Sequence, residues 1–142
     1  MTYSPSFYLE GIYQYKYKYM EEVVKNLMLM QNQFRICHWQ TEYDAQHRAF
    51  GFIYDSLDDL IDKFVEVCMG KHGRFSFDGG STSLEFFNLG DMDVDQFINS
   101  CLGFLVSLDE MYDEKMDSDI LNIRDEIMAD LNKLKYLLTL KG

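Results

Sequence analysis

Residues 37–66, CHWQTEYDAQHRAFGFIYDSLDDLIDKFVE, hold the features from which the fold and the chemistry of the chain are read. Phe50, Ile53, Leu57, Leu60, Ile61, Phe64 and then Cys68 recur at spacings of three and four, the apolar stripe of an amphipathic helix. Thr41 with Asp44 three positions on has the form of a capping box that opens this helix, and Gly70 and Gly73 supply its end. At about 100° per residue, His47, Gly51, Asp58 and Asp62 share one narrow sector, with Asp55 and Glu66 at its edge. That strip flanks the apolar stripe, as the solvated side of a surface helix also would. Imidazoles (His38, His47) and carboxylates (Asp62, Glu66) together suit Fe(II), Mn(II) or Zn(II). On a single helix, however, the 15 positions from His47 to Asp62 span roughly 22 Å. Either the two pairs are separate features, or two chains lie antiparallel and join the histidine end of one to the carboxylate end of the other.

Working outward, the periodicity stays helical. Upstream, Met20, Val23, Val24, Leu27, Met30, Phe34 and Cys37 form the stripe of a first helix. Tyr13, Tyr15, Tyr17 and Tyr19 alternate as a strand would, yet Tyr8, Ile12, Tyr15, Tyr19 and Val23 fit a helical face, and no partner strand is evident. The helix is therefore expected from about residue 12, after an N-terminal arm over about 1–11. Downstream, residues 71–92 are a Gly- and Ser-rich break in which Thr82 and Glu85 could cap one short helix, SLEFFN, stopped at Gly90. Asp93 with Gln96 opens a third helix running through Leu108, Met111 and Tyr112, and a fourth follows Asp117-Ser118-Asp119 to Leu140. Four helices joined by short, long and short links make an all-α four-helix bundle with one long crossover containing a short helix, in a single domain spanning 1–142.

Composition narrows the function. The chain has 142 residues, 47% hydrophobic and 26% charged, enough for one domain with a core. A net charge of −11 lacks the basic footprint that nucleic acid requires, so DNA is not an expected partner. Cys37, Cys68 and Cys101 are odd in number and lie in apolar helical stretches, which reads as reduced, buried thiols of a cytoplasmic protein. There is no CxxC pair for a thiolate zinc site. The start MTYSPSFYLEG is not a secretory leader, and nowhere do 18 apolar residues run together.

The run His38-Trp39…His47…Asp62-x-x-x-Glu66, set in four helices with a crossover, resembles the Dps family of mini-ferritins. In that family a His-Trp pair closes the first long helix, a second histidine opens the next, and an Asp-x-x-x-Glu pair follows at the same offset as from His47 to Asp62 here. The resemblance covers residues from about 18 to 140. It implies a ferroxidase centre shared across a dimer two-fold, with His38 and His47 from one chain and Asp62 and Glu66 from its mate. It further implies Fe(II) as the ion bound and oxidised at a di-iron or mono-iron site, Zn or Mn as substitutes, and assembly through an antiparallel dimer toward a twelve-chain shell. Trp39 would lie beside the site as an electron-transfer side chain.

The chain departs from the family in two places. The turn between the histidines is the shorter QTEYDAQ, and Gly51 stands where the family has a carboxylate one turn after the second histidine. Asp44, three residues before His47, is a candidate replacement, and Asp58 lies in the same sector. Two alternatives stand beside this reading. One is a ferritin-like oligomer that has lost iron chemistry and acts as a structural or interaction protein; the other is a plain helical partner-binding module. His72, in KHG past the second helix, reads as a solvated loop histidine, and the acidic residues from Asp109 to Asp119 read as a solvated helix end or as the lining of a shell pore.

Overall fold

The computed structural model describes the backbone of residues 12–142 and the side chains from residue 20 onward. The N-terminal arm and the side chains of Tyr13, Tyr15, Tyr17 and Tyr19 lie outside the described residues. Helix α1 spans Ile12–Gln40, α2 Asp44–His72, α3 Val94–Ser107 and α4 Ser118–Leu137. Three residues join α1 to α2, so these two 29-residue helices, each about 43 Å long at 1.5 Å per residue, lie antiparallel as a hairpin. The crossover returns along this hairpin, which makes α3 start beside the end of α1. At its far end Tyr112 reaches Cys68 of α2 (3.5 Å) and Met20 of α1 (3.6 Å). α4 then runs back against α2, with Lys71 meeting Asp119 at one end and Ser56 bonded to Asp130 midway. The architecture is a four-helix bundle of ferritin-like form.

The expected stripes are the ones buried. Val23, Leu27, Met30, Phe34 and Cys37 of α1 face Phe50, Ile53, Leu57, Phe64 and Cys68 of α2, and one core also takes in Ile98, Cys101, Leu105 and Leu108 with Ile120, Ile127, Leu131 and Leu134. Phe34 is its upper pivot, stacked on Phe50 at 6.3 Å and edge-on to Phe97 at 5.2 Å. All three cysteines are free and buried, and desolvation raises the pKa of each thiol, that of Cys68 to about 12. No helix among the described residues is long and apolar enough to cross a membrane.

Several local expectations are corrected. Thr41 does not cap α2: the helix begins two residues later with Tyr43 at the N-cap, while the Thr41 hydroxyl accepts from Tyr43 N and donates to Gln46. Gly70 is inside α2, and Gly73, at φ 95°, ends it by donating its N–H to the Met69 carbonyl. Asp93 caps α3 as expected, accepting from Gln96 N at 3.1 Å. α3 stops at Ser107, and a single 3-10 turn, Leu108–Glu110, carries the chain onward.

The crossover holds two single-turn 3-10 helices, Asp78–Gly80 and Leu89–Asp91, and SLEFFN between them is not helical. The reason is Gln33. Its buried amide accepts from Phe87 N and donates to Phe87 O, both at 2.9 Å, taking up backbone groups that a helix would use internally.

His72 is not solvated. It is half-buried, lies against Tyr112 and contacts the Asp117 carboxylate at 3.2 Å. The Asp117 side chain is only 3% exposed and also accepts from Asp113 N (2.9 Å) and Lys71 (3.4 Å). Lys71 also bonds Asp119 and the Met116 carbonyl. The acidic run is thus largely spoken for, since Asp109 pairs with the buried Arg124. Asp119's hydrogen bond with Lys71 lowers the carboxyl pKa and raises that of the lysine. A depressed carboxylate stabilises above its unfolded pKa and ceases to as pH falls through the folded value; a raised lysine stabilises below its unfolded pKa and ceases to as pH rises through the folded one. The pair therefore contributes across neutral pH and is lost at both extremes. Asp117→Ala leaves Lys71, His72 and the Asp113 N–H without their buried acceptor. Urea unfolding at pH 7 should show a loss of about 1–3 kcal/mol; an unchanged midpoint would mean this junction contributes nothing.

Candidate metal centre

The three-residue turn places His38, near the end of α1, against His47, in the first turn of α2. Their rings stack with centroids 3.8 Å apart and planes 16° from parallel. Each ring's Nδ1 contacts the other residue's main-chain oxygen, His38 Nδ1 to His47 O at 2.7 Å and His47 Nδ1 to His38 O at 2.8 Å. A carbonyl can only accept, so both rings carry their proton on Nδ1. Each Nε2 is then left with an in-plane lone pair. This is the outer hydrogen bond that metal-binding histidines commonly make, fixing tautomer and ring orientation.

The two acceptors differ. The His38 carbonyl belongs to the last turn of α1, where no following helical N–H claims it. The His47 carbonyl lies inside α2, where the fourth residue on is Gly51. Trp39, next to the pair, is 65% exposed and does not pack over it. The Arg35 guanidinium lies over its ring at 4.8 Å and over that of Tyr54 at 4.9 Å, a cation held between two aromatic faces on the outer side of the hairpin. Tyr43 is exposed to a similar degree at 66%.

The carboxylates are placed as follows. Asp44 pairs with Arg48 at 2.6 Å, and both are exposed. Asp58 accepts from Gln31 of α1 at 3.0 Å. Asp62 and Glu66 are exposed on α2 toward its other end, with no ion pair among the described residues. Among the described residues of one chain, no three His, Cys, Asp or Glu side chains converge to hold a metal ion. One chain thus offers two aligned imidazoles at one end and two carboxylates at the other.

Comparison with known proteins adds a family. Residues 38–138 match a family of unknown function, DUF5856. The chain belongs to this family. The stretch that identifies DUF5856 here runs from His38 to Leu138 and so contains both histidines, the α2 carboxylates, the crossover and α3 and α4. The chain is also similar to a protein of Enterobacteria phage T4, the "Uncharacterized 14.6 kDa protein in mobD-ri intergenic region", 43% identical over 54 residues. That alignment covers 38% of this chain and 42% of the phage protein, so less than half of either is compared. No solved structure matches.

Three features of the candidate site in this chain are not legible in its sequence periodicity. The 35/39 spacing on α1 could have suggested the Arg35–Trp39 contact, since residues four apart on a helix are neighbours. The ring stack and the role of Gly51 depend on how the turn closes, which no periodicity encodes. His47→Ala removes the donor to the exposed His38 carbonyl, and denaturant unfolding should report a loss of about 0.5–1.5 kcal/mol. No loss would show that water replaces the imidazole at no cost.

Proposed function

We propose that this chain is a ferritin-like metal-binding protein of the mini-ferritin type, in which His38 and His47 of one copy and Asp62 and Glu66 of a second copy hold Fe(II) as a substrate for oxidation. The observation that carries the reading is the reciprocal imidazole–carbonyl bonding, which commits Nδ1 of both stacked rings to main-chain oxygens and leaves both Nε2 atoms for a ligand. Nearly parallel rings cannot aim two in-plane lone pairs at one ion; they suit two ions, one on each imidazole.

Two neutral ligands bind a divalent cation weakly, so carboxylates must come from elsewhere. Asp62 and Glu66 stand one turn apart on α2 with no ion pair among the described residues, and His47 of the same chain is about 22 Å from Asp62 along the helix. An antiparallel second copy on the outer face of α1 and α2 would bring one carboxylate to each ion. Its two-fold would pass near the level of Arg35 and Tyr54. There the guanidinium, without an ion pair to a carboxylate among the described residues, would meet the acidic strip of the other α2. In the oxidation, each of two Fe(II) ions gives one electron to one molecule of hydrogen peroxide, which takes up two protons and leaves as two waters. Trp39, the neighbour of His38 in sequence, would be the side chain to pass an electron. Zn(II) and Mn(II) would occupy the site without turnover of this kind.

A second reading is favoured by a specific observation. Asp44 is taken by Arg48 and Gly51 brings no carboxylate, so the histidine end has no anionic ligand of its own. A ferritin-like oligomer without iron chemistry would look like this.

Heterodimers decide between them. His47→Ala and Asp62→Ala should each weaken Fe(II) and Zn(II) binding in calorimetry and slow Fe(II) oxidation, and mixing the two variants should restore one intact site of the two in each heterodimer. No binding at all would sink the shared site and leave the second reading; binding by a strictly monomeric wild type would overturn both. Arg35→Glu places like charge opposite the acidic strip and should shift sedimentation toward monomer. Trp39, the sole tryptophan, then reports by a red shift of its emission.

A further inference from the structure

The His47 carbonyl should not be free to bond His38. It sits inside α2, where the residue four positions on directs its side chain back over that turn. Residue 51 is glycine, and a Cβ built there would lie 3.1 Å from His38 Cε1 and 3.3 Å from His38 Nδ1. At those distances the ring would have to give by a few tenths of an ångström. His38 can hardly shift to relieve them, since its Nδ1 is fixed to the His47 oxygen at 2.7 Å and its face to the His47 ring.

We propose that Gly51 is the positioning residue of the histidine pair: the missing side chain lets the His38 ring lie on the α2 backbone, bond the His47 carbonyl and stack on His47. Gly51 is then a working part of a two-imidazole site, and the space a ligand at 51 would fill is taken by His38. This assignment concerns the ring geometry itself, and only its effect on metal affinity rests on the function proposed above.

The contrast with other helical glycines makes the idea testable. Gly103 of α3 has nothing within 4 Å of a built Cβ. Gly103→Ala should therefore raise the thermal midpoint, as replacing glycine inside a helix ordinarily does. Gly51→Ala should lower it, and in a His38→Ala background, where the ring is gone, should raise it as Gly103→Ala does. In histidine-15N-labelled, metal-free protein, wild type should show His38 and His47 protonated at Nδ1. In Gly51→Ala the His38 ring should lose that signature while His72 keeps its own. Zn(II) affinity should fall by about 10–100-fold, the usual cost of losing a supporting bond behind a ligand. The proposal is overturned if Gly51→Ala raises the midpoint in the wild-type background or if His38 keeps its Nδ1 proton. A wild type that binds no Zn(II) would instead remove the metal reading and leave the stability and tautomer results to decide the role of Gly51.

Discussion

The packing of α1 against α2 is the constraint on which everything else in this molecule depends. Two 29-residue helices joined by three residues can meet in few registers, and the interdigitation around Phe34, Phe50, Leu57 and Phe64 selects one. That register decides which α1 residue faces which α2 residue on the outside. His38 comes opposite His47 and Gly51, Arg35 opposite Tyr54, and Gln31 opposite Asp58. A shift of one residue would rotate these partners apart by about 100°. The polar outer face is thus a product of the buried inner one.

The fold was largely legible because its signals are local and repeated. Stripes such as Phe50, Ile53, Leu57, Ile61 and Phe64 name a buried face without reference to any other part of the chain, and the Asp93 cap is a contact between residues three apart. The start of α1 at Ile12 was resolved correctly in favour of helix over strand. The errors fall where distant residues compete with local preference. SLEFFN has a helical look, but Gln33, 54 positions earlier in sequence, claims the backbone of Phe87. Thr41 has the type of a capping residue, but the tight turn uses its hydroxyl on Tyr43 and Gln46 instead.

The candidate site divides along the same line. That Asp62 and Glu66 lie too far along α2 to join His47 in one chain followed from counting residues, and that His38 and His47 belong together was implied by the family resemblance. Stacked rings, reciprocal carbonyl bonds and a glycine beneath them followed from neither. Asp44 illustrates the limit: its spacing from His47 fits a chelating pair, yet Arg48, equally well spaced on the other side, holds it at 2.6 Å. His72 illustrates it again, since only the return of the chain at Asp117 turns a loop histidine into part of a packed junction.

The grip on the crossover has a consequence for how such a chain can change. Gln33 holds Phe87 through main-chain atoms alone, and Gln40 accepts from the main-chain N–H of Leu89. Neither bond depends on which side chains the crossover carries at those two positions. The path of the connection is therefore written in α1, and residues 81–86 are left to drift in composition. Such a segment can lengthen, shorten or acquire a foreign peptide while the helices on either side keep their register, which makes it the natural place to graft a new specificity onto an old scaffold.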